Sequence, residues 1–257
     1  MSALALAARD SSTMVRRQLK RLLRYPSMTV QLIVTPVVIL LLFVYVFGGT
    51  LGNGLGGGRD AYINYVVPGI LLMAAATAAT GTAVMVATDM TEGIIARFRT
   101  MRISRGSVLT GHVVGSVIQQ LLGMAVVIGI ALALGFRPNA TPVEWLAATG
   151  LITLFVVAIT WLAVALGMKS PTPEAASNAP MPLIFLPFLG SGFVPTDSMP
   201  SVLRWFAEYQ PFTPIMETVR GLLLGTPIGN SAAIATAWCT GIAVVSYLWA
   251  KNTFNKT

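Results

Sequence analysis

Apolar runs of membrane-crossing length alternate along this chain with short polar breaks, and almost all the arginine and lysine falls in every second break. About six of the runs approach the roughly 20 apolar residues that a helix needs to cross a bilayer. A helix satisfies its own backbone polar groups where no water is available, so the pattern restricts the chain to an all-α polytopic membrane protein. Charged residues are 10% of the 257 and hydrophobic ones 55%, against about 25% charged in a soluble domain. The runs nearly consume residues 1–257, which leaves one transmembrane domain and no room for a soluble catalytic one.

The expected spans are 28–47, 62–88, 107–134, 145–168, 175–192 and 231–250. The first carries Pro36 and is expected to end at Gly48-Gly49 in a glycine-rich loop; the fifth carries Pro180, Pro182 and Pro187. Alanine, glycine and threonine dominate 74–87, which suits close helix approach in lipid. Ahead of the spans, residues 8–25 predict an amphipathic interfacial helix. Val15, Leu19 and Leu22 share one face, while Arg16, Arg17, Lys20, Arg21 and Arg24 take the other and reach to phosphates. A span-length apolar stretch follows, so this leader is not read as a secretory signal. The net charge of +8 lies at helix ends and in short loops, which points to anionic lipid headgroups and not to nucleic acid.

With the N-terminus in the cytoplasm, cytoplasmic segments hold 13 of the 17 basic residues. The external ones hold the other four, Arg59, Arg137, Arg204 and Arg220. The positive-inside rule then puts both termini inside, as in a multi-pass protein of the bacterial inner membrane. No glycine-lysine dipeptide occurs, so no phosphate-cradling loop exists here. One histidine, His112, and one cysteine, Cys239, cannot make a usual zinc or transition-metal cluster or an internal disulfide. Within the spans the candidate relay or pathway groups are His112, Gln119 and Gln120, which is thin for a proton relay. The two glutamines are possible pathway contacts, with interhelical hydrogen bonding as their other use. Any work done by this chain must draw on a partner or an ion gradient.

Two segments stand out. In 89–105, Ile94, Phe98 and Met101 form an apolar stripe ringed by Arg97, Arg99, Arg102 and Arg105. Such a knob, preceded by Glu92 and Gly93, suits docking into a groove of another protein, or else a turn lying on lipid. In 193–228, proline at 195, 200, 211 and 214 predicts short helical pieces, with serine and threonine before Met199 and Ile215 available as caps and Glu217 placed to pair with Arg220. This reads as a compact re-entrant cap over a cavity, or as an ordinary external loop.

These residues resemble a known family, the membrane subunits of type-2 ABC exporters, in particular the daunorubicin-resistance-like drug-efflux permeases. The resemblance rests on G-I-I-A-R-F-R-T-M-R-I-S-R-G-S-V-L-T-G at 93–111, G-F-V-P at 192–195 and P-F-T-P-I-M-E-T-V-R-G-L-L-L-G at 211–225. Arg102 departs from it, standing where relatives often carry proline. The resemblance implies six spans, a second permease copy, and two copies of a separate ATPase that holds ATP and magnesium, with no cofactor in this chain. It also implies that the interfacial helix and the 89–105 segment rest on the ATPase, and that Phe193, Pro195, Pro211, Phe212, Pro214, Glu217 and Arg220 belong to external helices capping the pathway.

The expected function is the permease half of an ATP-driven exporter of hydrophobic or amphipathic compounds, such as an antibiotic, a lipid or a glycolipid. A polysaccharide-export permease of the same fold, a gradient-driven transporter and a membrane enzyme using His112 are the alternatives.

Overall fold

The computed structural model describes residues 26–92 and 105–256. Among them the chain is helical, with no strand. Helix α1 (Pro26–Leu41) passes through a π-helical stretch, Leu42–Phe47, into α2 (Gly48–Gly54), so Gly48-Gly49 does not stop the first crossing. Glycine weakens an isolated helix by about 1 kcal/mol per residue, but α2 folds back along the start of α3 (Gly58–Thr91) and is held there by packing. The Arg59 guanidinium sits 5.1 Å above the Tyr45 ring and ties the widened turn to the same place.

Helix α4 (Arg105–Ala133) and α5 (Pro142–Lys169) follow as single long helices. The start of α5 lies three residues before the hydropathy boundary at Trp145, and the local chemistry explains it. Thr141 accepts the Glu144 N–H while Glu144 accepts the Thr141 N–H at 2.7 Å, a reciprocal cap with Pro142 in the first turn. Helix α10 (Ser231–Lys256) closes the chain.

Among the described residues, five helical stretches are long and apolar enough to span a membrane: 32–54, 58–91, 113–133, 142–169 and 231–254. The stretch 175–192, expected as one more continuous span, is instead broken into α6 (Pro173–Asn178), α7 (Met181–Phe185) and a run of turns from 186 to 194. Pro180, Pro182 and Pro187 each remove an amide donor and crowd the preceding turn, which prevents one helix from forming there.

Helix α3 is the hub. It packs against α1, α2, α4, α5, α6 and α7, and most of its surface is buried. Its small residues permit this: Ala75, Ala76, Ala79 and Ala83 are fully buried. Opposite them, Gly167 of α5 comes so close that a Cβ there would overlap the Ala83 carbonyl oxygen. Without a hydrophobic drive between helices in lipid, such backbone approach supplies the dispersion energy that holds a bundle together.

Candidate transport cap and coupling segment

The proline-broken region builds a compact hairpin on the end of the bundle where α3 and α5 begin. A 3₁₀ turn (Thr196–Ser198) leads into α8 (Ser201–Tyr209) and then α9 (Phe212–Leu224). Helix α9 does not lie flat on that end. Its first residue, Phe212, packs edge-on against Phe155 of α5 with ring centroids 5.1 Å apart, and its penultimate residue, Leu223, accepts the N–H of Asn139 at 2.9 Å. Phe155 is 13 residues into α5, about 20 Å from its start at 1.5 Å per residue. Helix α9 therefore begins deep in the bundle and rises to its end.

Arg220 holds this arrangement. It is 8% exposed. Its Nη2 donates to the Ser191 carbonyl at 2.6 Å and to the Tyr65 carbonyl at 3.2 Å, and its Nε donates to the Tyr65 carbonyl at 3.3 Å. Its Cζ lies 3.9 Å from the centre of the Tyr65 ring. A planar guanidinium can bridge two carbonyls and stack on a ring at once, which an ammonium cannot. The expected Glu217–Arg220 pair does not form; Glu217 accepts from the Ser231 hydroxyl at 3.2 Å and so ties α9 to α10. An i,i+3 pair contributes only a few tenths of a kcal/mol, less than hydrogen bonding a buried cation.

The other face of Ser191 is held as well, since its N–H donates to Thr213 Oγ1 at 3.2 Å. Gln210 donates to the same Thr213 oxygen and to the Leu186 carbonyl, and accepts the Phe212 N–H, each at 3.2 Å. Thr213 thus receives the hairpin and does not cap α9, whose N-cap residue, Pro211, makes no side-chain bond. Ser198 likewise turns its hydroxyl back to the Pro195 carbonyl at 2.7 Å. Phe193 is reached by Tyr62, whose hydroxyl donates to the Phe193 carbonyl at 3.1 Å. The Phe193 ring stacks on Phe188 at 4.4 Å and meets Phe43 of the π-helical stretch at 4.5 Å. Where α3 crosses the hairpin, Gly69 faces Gly192, and a Cβ on Gly69 would stand 2.5 Å from the Gly192 oxygen. Glu208 of α8 and Asp197 of the 3₁₀ turn bind Arg204 at 2.7 and 2.6 Å, and they hold its guanidinium above the ordinary arginine pKa.

Of the residues singled out in the sequence, Pro211, Phe212, Pro214, Glu217 and Arg220 converge on α9, while Phe193 and Pro195 precede α8. Glu92 is exposed at the end of α3, where its N–H donates to the Thr88 carbonyl at 2.9 Å. The rest of the coupling segment (Gly93, Ile94, Arg97, Phe98, Arg99, Met101 and Arg102), the interfacial helix with Arg16, Arg17, Lys20, Arg21 and Arg24, and the His112 side chain lie outside the described residues. Thr213 stands out in sequence only as a cap, and Ser191 and Gln210 do not stand out at all. Tyr62 and Tyr65 sit three apart at a helix start, a spacing that suits the aromatic belt of a membrane interface; nothing near Ser191 marks it in sequence.

Gln119 is half-buried on α4, whereas Gln120 points into the bundle and donates to Thr160 Oγ1 at 3.1 Å. Its Oε1 is buried without a partner beside a cavity of about 10 Å³ lined by Leu32, Ala74, Ala78, Gly123 and Met124, space for about one water. Thr160 also donates to the Val156 carbonyl at 2.6 Å, so it keeps a bond without Gln120. Gln120→Leu is therefore expected to leave thermal stability within about 1 kcal/mol of the parent or slightly higher, read from unfolding in detergent. A loss above that would show that the amide is a structural tie. Among the described residues no group of three or more metal-ligating side chains comes together.

A multi-pass helical bundle whose long helices, among the described residues, carry charge only near their ends, with a tightly bound hairpin at one end, has the architecture of a membrane-embedded subunit. Residues 10–224 match the ABC-2 type transporter family, and the chain belongs to that family. It is 25% identical over 223 residues to the daunorubicin resistance ABC transporter permease protein DrrB1 of Streptomyces coeruleorubidus, covering 86% of this chain and 77% of that one. It is 25% identical over 214 residues to the probable doxorubicin resistance ABC transporter permease protein DrrC of Mycobacterium tuberculosis, covering 83% and 78%. It is 27% identical over 218 residues to nodulation protein J of Rhizobium leguminosarum bv. trifolii, covering 80% and 79%.

Proposed function

We propose that this chain is the permease subunit of an ATP-driven exporter that moves hydrophobic or amphipathic compounds outward, in a complex of two permease copies and two copies of a separate ATPase that binds ATP and magnesium. The family supports the ATPase partnership, and the drug-resistance relatives support the cargo class. One observation carries the second copy. The broken stretch presents an apolar edge with Met181, Phe185 and Phe188 at 51%, 53% and 40% exposed, next to the π-helical stretch, whose Phe43 ring lies 6.3 Å from that of Phe188. Irregular backbone at membrane depth is stable only where protein or a wet pathway covers it. A second copy seated there would cover that backbone and enclose an apolar route between the two subunits.

In this reading 173–192 is the broken fifth of six crossings, and α9, which starts at depth and rises, is the re-entrant part of an external cap formed by 193–228. Arg59, Arg137, Arg204 and Arg220 belong to segments at the cap end of the helices, and Lys169 and Lys251 stand at the opposite end. The basic excess faces the cytoplasm, with both termini inside the inner membrane. Residues 8–25 lie on the inner membrane surface, and 89–105 docks on the ATPase. Gln119 and Gln120 remain possible cargo contacts.

The test is reconstitution. Vesicles holding the permease with its copurified ATPase are expected to take up daunorubicin, followed by its fluorescence, only with magnesium-ATP. Transport in vesicles that lack any ATPase would overturn this function.

A further inference from the structure

The cap and the coupling segment sit at opposite ends of one helix. Helix α3 has 34 residues, about 50 Å at 1.5 Å per residue, which exceeds the roughly 30 Å of hydrocarbon it crosses. Its last residue, Thr91, leads within two residues into 93–104, so a displacement of that segment acts on the end of α3 through the chain itself. Its first two turns carry the two groups that bind the hairpin: the Tyr62 hydroxyl, on the Phe193 carbonyl, and the Tyr65 carbonyl, on Arg220. These hydrogen bonds stand beside the Gly69–Gly192 backbone contact and the packing of α3 on α9. Arg220 binds a carbonyl of α3 and the Ser191 carbonyl at the same time, 155 and 29 residues away from it.

We propose that Arg220 fastens the cap to α3, so that α3 acts as a strut carrying movement from the coupling segment to the far end of the pathway, and that Arg220 is the positioning residue through which ATP hydrolysis opens the exit. This deepens the exporter reading and rests on it. The strut is a packed helix buried along most of its length, and in this proposal it moves as a body. Breaking the clasp frees the cap from the strut while leaving the ATPase contact, about 40 Å away along the helix, untouched.

Two readouts on a Cys239→Ser background test this. The first needs only the permease in detergent. Ser191→Cys places a thiol where a serine hydroxyl is now buried, and Arg220→Gln is expected to raise its rate of reaction with a hydrophilic maleimide at least about tenfold by favouring local opening of the cap. The second uses the complex with its ATPase. Arg220→Gln without the added cysteine is expected to retain ATP hydrolysis within about twofold while transport falls about tenfold or more. If the glutamine variant does not fold, Arg220→Lys and Tyr62→Phe, which each remove part of the same connection, are read in the same two assays and are expected to shift them in the same directions.

Equal labelling with and without the guanidinium, unchanged transport, or hydrolysis and transport falling together would each overturn the proposal, the last by showing a merely structural role. If the parent complex does not transport at all, the exporter reading fails, while the labelling comparison still decides whether the clasp exists.

Discussion

Phe98→Glu is expected to abolish ATP-dependent transport and to strip the ATPase from the purified permease, while membrane insertion stays normal. Ile94, Phe98 and Met101 recur at spacings of four and three, so on a helix they form one apolar stripe. In the proposed complex that stripe seats in a groove of the ATPase. A carboxylate in a desolvated groove pays its full hydration penalty, and losing an apolar anchor of this kind costs about 2 kcal/mol or more, roughly thirtyfold in affinity. Phe98→Leu keeps the apolar volume and is expected to retain most of the binding. Quantifying the ATPase recovered with each variant at equal membrane-inserted permease checks this; normal recovery with the glutamate would remove 93–104 from the docking role.

Gly69→Val should produce the largest loss of stability. The Cβ it adds would stand 2.5 Å from the Gly192 oxygen, 2.9 Å from its carbonyl carbon and 2.9 Å from its Cα. All three are backbone atoms, so no side chain can turn aside, and either α3 or the hairpin has to move. Overpacking of this sort costs about 3 kcal/mol. The same displacement separates Tyr62 and Tyr65 from Phe193 and Arg220, so the cap should loosen along with the fold. Thermal unfolding in detergent, with elution as a single species at low temperature, measures the effect. A midpoint equal to the parent's would mean that α3 and the hairpin are not held in this contact.

Much of the bundle is legible without coordinates. Hydropathy locates α3, α4, α5 and α10 to within a few residues of their apolar parts, because in lipid a long apolar run has one way to satisfy its backbone. Local chemistry refines the picture where it is strong, as in the Thr141–Glu144 cap that starts α5. It fails where local and distant partners compete. Gly48 and Gly49 look like a stop, yet packing of α2 on α3 carries the helix on to Gly54. The run 175–192 has the length and apolarity of a span, but a hydropathy average does not register that three prolines remove donors from consecutive turns. Glu217 and Arg220 have the right spacing to pair, and each finds a better partner elsewhere in the fold.

The sequence alone determined that this chain is a helical membrane protein, roughly where most of its crossings run, and that it carries two segments of unusual composition. Those follow from hydrophobicity, charge and proline, which act over a few consecutive residues. Only the tertiary structure decided that α9 rises from the bundle interior, that Gly69 and Gly192 touch, and that Ser191, Tyr65 and Arg220 form one clasp. These depend on carbonyl groups that every residue possesses, brought together across as many as 155 positions. A backbone oxygen leaves no mark in the sequence, so where it finds its donor is settled by packing.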